Sequence, residues 1–139
     1  MNQTHWDESY YMTELSAKKL QSLLTSLLET QLETPHSSFG ILIIADQIRE
    51  LTIFLGQLCS ELHLSQEEKS ALEQLSACLL SMKFVTNRLT AQQSEPLSPS
   101  EQIKLLQEAL QETDHFLECL KTLPNNRLTL LSYKKGESL

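Results

Sequence analysis

The chain has 139 residues, enough at roughly 150 residues per domain for one domain with a real core and too few for two. Hydrophobic residues make up 40% and charged residues 21%, ordinary globular proportions that exclude a disordered chain. A formal net charge of -7, with basic residues scattered rather than clustered, disfavours a nucleic-acid binder, whose affinity rests on neutralising phosphates.

Within the apolar set there are 29 Leu against 6 Ile and 1 Val, and the whole chain holds only 3 Gly and 4 Pro. Few β-branched residues and few breakers argue for helix nearly throughout. The same scarcity excludes an all-β or dinucleotide-binding α/β reading, and no two glycines lie close enough for a phosphate loop. The longest apolar run, Ile41 to Ala45, is far short of the ~18 residues that span a bilayer, so no membrane insertion is expected. Met1 to Tyr10 is polar and acidic and does not read as a signal peptide. Cys59, Cys78 and Cys119 are odd in number and contain no Cys-x-x-Cys pair. That pattern suits a reducing, cytoplasmic setting in which all three stay as thiols.

In chain order, Trp6, Tyr10, Tyr11 and Met12 form an aromatic cluster ahead of the first helix, which starts between Asp7 and Thr13 and runs to about Glu33. Trp6 and Tyr10 read either as a staple closing one end of the molecule or as anchors for a partner, and they are carried forward as partner-binding candidates. The first helix has a broad stripe of Leu20, Leu23, Leu24, Leu27, Leu28 and Leu32. Pro35 breaks it. A second helix is expected over about 38–62, with Ile41, Ile44, Ile48, Leu51, Leu55, Leu58 and Leu62 at 3-4 spacing. Ser65 and Glu68 have capping-box spacing, opening a third helix over 66–91 with Leu72, Leu75, Leu79, Met82, Thr86 and Leu89 on its seam. Residues 92–100 form the longest linker. There Ser98, Pro99 and Glu101 supply an N-cap, a proline at the first helical position and a glutamate three after the cap. The fourth helix covers 99–123, with Ile103, Leu106, Leu110, Thr113, Leu117 and Leu120 on its seam, and Pro124 ends it.

Four segments of about 20–27 residues, or ~30–40 Å each, joined by short breaks, predict an all-α, antiparallel up-down-up-down four-helix bundle. It should occupy residues 1–126. A short apolar C-terminal tail, 127–139, follows and is expected to be partly disordered.

Chemistry-bearing patterns are sparse. Glu-x-x-His occurs as Glu33/His36 and Glu112/His115, a spacing that di-iron bundles use on facing helices. The first pair straddles Pro35, however, and the second lies off the fourth seam. His115, His63 and His36 lack the basic and small neighbours of a phosphotransfer site. Cys119 is one turn after His115, so thiol and imidazole can share a helix face, yet no orienting group accompanies them. Cys59 and Cys78 lie beside their seams and read as small buried hydrophobes. No catalytic residue, cofactor or metal is therefore expected.

The informative residues are surplus apolar ones outside the seams: Leu42, Ile43 and Ile53 on the second helix, Leu80 and Phe84 on the third, Leu105 on the fourth. Large apolar groups left in water mark a partner surface. In size, acidity and helix content the chain is similar in character to small cytoplasmic chaperones and adaptors of bacterial secretion and flagellar systems, a likeness that covers no defined residues. The expected function is a non-enzymatic, protein–protein interaction module: an adaptor, a small acidic chaperone or an assembly subunit. It would bind another protein, through a partner helix, or a second copy of itself, using Leu42, Ile43, Ile53, Leu80, Phe84, Trp6 and Tyr10. One alternative is a homodimeric structural bundle. Another is a phosphotransfer or metal-binding bundle using His115.

Overall fold

The structure, a computed structural model, describes residues 3–33, 38–61, 64–90 and 98–123, with side chains described for 6–29, 40–61, 64–90 and 98–123. It contains helices α1 (Gln3–Glu33), α2 (Ser38–Cys59), α3 (Gln66–Thr90) and α4 (Pro99–Leu120). Neighbours pack in a closed square, α1 on α2, α2 on α3, α3 on α4 and α4 back on α1, with no diagonal packing. Cross-helix pairs fix the directions. Tyr10 meets Leu120 and Gln21 meets Asp114, so α4 descends as α1 rises. Met82 meets Thr113 and Gln74 meets Cys119, which sets α3 against α4. Ser16 meets Gln47 and Glu50 where α1 packs on α2. This is the expected antiparallel four-helix bundle. The proposed tail 127–139 lies outside the described residues, as do His36, His63 and Leu62.

Both anticipated capping boxes form. The Glu68 amide donates to Ser65 Oγ (3.0 Å) while the Ser65 amide donates to Glu68 Oε1 (2.8 Å). The Glu101 amide likewise donates to Ser98 Oγ (3.2 Å), with Pro99 opening the helix. Each box occupies amides that a helix start otherwise leaves without partners.

The core is the 3-4 seam of each helix. On α2 the buried positions are Ile41, Ile44, Ile48, Leu51, Leu55 and Leu58, as the spacing predicted. On α3, Leu72, Leu75, Leu79, Met82 and Thr86 are buried. The two seam threonines keep their hydroxyls satisfied by donating to carbonyls one turn back, Thr86 to Met82 O and Thr113 to Ala109 O, both 2.8 Å, so their burial costs little.

Three expectations need correction. First, α1 begins at Gln3 rather than between Asp7 and Thr13. Trp6, Tyr10, Thr13, Ala17, Leu20, Leu24 and Leu27 are all buried and follow one unbroken 4-3 alternation. Thr13 and Ala17 are small and half-polar, so the stripe reads as ending where it merely narrows. Leu23 and Leu28 only flank it. Second, α4 is rotated from the predicted seam. Leu105, Ala109 and Phe116 are buried with Leu106, Thr113, Leu117 and Leu120, whereas Ile103 and Leu110 are only half-buried. Turning Phe116 inward buries a large ring that would otherwise face water, and Ala109 makes room for α3. Leu105 is therefore core and not surplus surface. Third, Cys59 is exposed, while Cys78 and Cys119 are buried. All three are free thiols.

Tyr10 carries a pH signature of this packing. Its hydroxyl donates to Leu120 O (3.0 Å) at the closed end of the bundle. Burial, with the Glu14 carboxylate one turn along, pushes its phenol up to about 12. A folded value above the unfolded one of about 10 means the contribution is complete below pH 10 and lost as pH rises through 12. Stability should fall over that window by up to about 1.4 kcal/mol per pH unit on this account. Urea unfolding between pH 7 and 12 checks it: Tyr10→Phe should cost about 1 kcal/mol at neutral pH yet show a shallower alkaline fall. Parallel profiles for the two proteins would remove Tyr10 as the source.

Candidate functional site

The α2–α3 face holds the main surface feature. Ile53 projects outward from α2 and is 58% exposed. From α3, Leu80 and Phe84 stand one turn apart and are 68% and 65% exposed. Between the two helices runs an open groove. Its lower half is lined by Thr52, Leu55, Gly56, Leu79, Leu80 and Lys83, its upper half by Ala45, Arg49, Ile53, Lys83 and Asn87. The antiparallel register brings Ile53 of α2 and Leu80 of α3 onto one groove, so residues distant in sequence share it, while Phe84 lies on the α3–α4 side. A β-carbon added at Gly56 would meet nothing within 4 Å, so the missing side chain leaves a hollow beside Leu80. Leu80 and Phe84 also edge a second groove between α3 and α4, with Val85, Glu108 and Glu112. Helical geometry explains the arrangement: by the ~100° step of an α-helix, Ile53 sits about 140–160° round the axis from the α2 seam leucines, and Leu80 and Phe84 about 80–180° from those of α3.

The other candidates divide. Leu42 and Ile43 are exposed on α2, as expected. Leu42 lies about 11 residues, or ~16 Å of helix, before Ile53 and belongs to the far end of the same ridge. Trp6 and Tyr10 are not partner anchors in this fold. Trp6 is fully buried and Tyr10 nearly so, because they fill the end of the bundle where Thr13 and Ala17 leave space. Tyr11 and Leu15, four apart and both exposed, form a second apolar pair on the outer face of α1. Tyr11 was anticipated only as part of the aromatic cluster, and Leu15 was not singled out, since a lone leucine between Glu14 and Ser16 has no pattern around it.

The structure also assembles a group that spacing announced only in part. Cys78 of α3 and His115 and Cys119 of α4 bring their Sγ, ring nitrogen and Sγ atoms within 4.8 Å of one another. Cys119 Sγ lies 3.6 Å from His115 Nε2, and its thiol also reaches Gln74 Oε1 at 3.6 Å. The two cysteines are buried and the histidine is exposed, so the cluster lies at the surface end of a buried thiol pair. Burial, then the neighbouring Cys119 and Glu112, push the Cys78 thiol up to about 11. It is therefore a neutral thiol at physiological pH, not an activated nucleophile. The spacing of His115 and Cys119 marked half of this group. The contribution of Cys78 depends on how α3 and α4 pack.

Among the described residues no helix is long and apolar enough to cross a membrane. Comparison with known protein families, curated proteins and solved structures finds no match to this chain.

Proposed function

We propose that the protein is a non-enzymatic interaction module of the adaptor, small acidic chaperone or assembly-subunit kind, working in the cytoplasm and docking a partner's amphipathic helix along the α2–α3 groove. The observation that carries this reading is the coincidence of Ile53 and Leu80 on the α2–α3 groove, both more than half exposed, beside a hollow at Gly56, with exposed Phe84 one turn beyond Leu80 on the shoulder of α3. Isolated exposed leucines are ordinary on a protein surface. Two large apolar side chains on one groove between adjacent antiparallel helices, with Phe84 on the shoulder of α3, match what a third amphipathic helix needs, knobs for its own grooves and a groove for its own knobs. A net charge of -7 opposes stacking two copies at long range, which favours a foreign partner over a homodimer. The free thiols suit a reducing compartment.

Two substitutions test the reading from opposite directions. Phe84→Asp adds a charge at an exposed position and should leave the melting temperature within a few degrees of the parent. It should weaken association by ~2 kcal/mol, about thirtyfold in affinity. Gly56→Met fills the hollow. It should stabilise the helix by up to about 1 kcal/mol, since glycine is a poor helix former, and still block docking. Light scattering reads self-association, and comparative pull-down with the parent and both variants reads foreign partners. Proteins captured by the parent and lost by both variants support the groove. If Phe84→Asp unfolds the bundle, or if neither variant alters any association, the reading fails.

A further inference from the structure

We propose that Cys78, His115 and Cys119 form a zinc site that clips α3 to α4. The donor set is chemically specific. Two thiolates and an imidazole suit Zn²⁺, whereas Mg²⁺ and Ca²⁺ require oxygen donors and would find none among these three. The geometry is close to that of the bound state. Zinc–sulfur and zinc–nitrogen bonds of about 2.3 and 2.05 Å at a tetrahedral angle place S and N about 3.6 Å apart and the two sulfurs about 3.8 Å apart. Cys119 Sγ and His115 Nε2 are already at 3.6 Å, and all three donor atoms fall within 4.8 Å. Closing the remaining separations takes side-chain torsion of about 1 Å and no helix movement.

The framework favours this arrangement for three reasons. His115 and Cys119 are one turn apart on α4, so both face α3 from a rigid element. The exposed imidazole gives the ion a way in, while the buried sulfurs shield it from competing water. Gln74, whose Oε1 accepts from the Cys119 thiol at 3.6 Å, can turn its amide N–H groups to the thiolate once the proton has left, an outer-shell donor of the usual kind. The fourth coordination position points towards solvent on the His115 side and takes a water. Each thiol releases its proton to solvent as the Zn–S bond forms.

The site lies on the α3–α4 side of the bundle and is separate from the α2–α3 groove, so neither reading depends on the other. The test is cobalt titration of the full chain, reduced and stripped of metal. Co²⁺ should bind at one equivalent, with the sulfur-to-cobalt charge-transfer absorption of thiolate ligation and the visible bands of a tetrahedral ion. One equivalent of Zn²⁺ should abolish both. His115→Ala, at an exposed position that cannot unfold the helix, and Cys78→Ser should each weaken binding by at least about a hundredfold, the upper end of what even outer-shell changes cost. Cys59→Ser, outside the cluster, should leave the titration unchanged. Circular dichroism of the metal-free variants separates loss of ligation from loss of fold. No charge-transfer band in the parent protein, an unchanged titration in folded His115→Ala, or loss of binding in Cys59→Ser overturns the site.

Discussion

Replacing Trp6 with alanine should destabilise the bundle by about 3–5 kcal/mol, the largest effect expected of any single truncation. The indole is completely buried at the end of the bundle where α1 starts, on the same seam as Tyr10, Thr13 and Ala17. Close-packed neighbours relax only in part into the space a whole ring vacates. The cost is therefore the lost transfer energy of the ring plus a cavity that does not fully collapse. Chemical denaturation followed by circular dichroism measures it, and a matched melt of Tyr11→Ala serves as the contrast. Tyr11 is an aromatic residue of the same helix end but faces solvent, and its truncation should cost well under 1 kcal/mol. Similar losses for the two would mean that α1 is rotated from the orientation described. A domain of this size has total stability of only about 5–15 kcal/mol, so Trp6→Ala consumes a large share of it.

Leu75→Ala should cost about 2–5 kcal/mol, whereas Leu110→Ala should cost about 1 kcal/mol. The two leucines occupy equivalent mid-helix seam positions by spacing alone. Leu75 is fully buried, while Leu110 is half-buried at the edge of the core, beside the polar surface formed by Gln21, Thr25 and Asp114. Water can enter the space left by Leu110, so no void persists, and little apolar area is removed from contact. Leu106 and Ala109, which sit deeper on α4, carry the packing that spacing assigned to Leu110. Equal losses at 75 and 110 would restore the unrotated seam of α4.

These cases show which features were legible in the residues. The helix boundaries around Ser65 and Ser98 were, because a capping box is a local device: serine, glutamate and the amides they bind lie within one turn, whatever the rest of the chain does. The α2 seam was also legible, since six aliphatic residues at 3-4 spacing allow one orientation only. The exposure of Ile53, Leu80 and Phe84 followed from the same logic, being the angular opposite of the seams. The meeting of Ile53 and Leu80 across one groove did not. It requires that α2 and α3 be adjacent, antiparallel and in a register that brings Ile53 level with Leu80.

Local periodicity and capping thus determined that this chain is helical, where α3 and α4 start and which residues of α2 face inward, because each of those is settled within a few turns by hydrogen bonding and burial. Tertiary packing decided what periodicity leaves degenerate. A small residue such as Thr13 or Ala17 fits a core seam or a surface equally well until a neighbour fixes the spacing, which is how Trp6 and Tyr10 became core. An apolar stripe as wide as that of α4 can rotate by one slot, and the burial of the whole Phe116 ring goes with the slot taken. Cys78 stands beside His115 and Cys119 for the same reason: side chains from two helices become neighbours only when the helices pack, and no spacing along either helix encodes the distance between them.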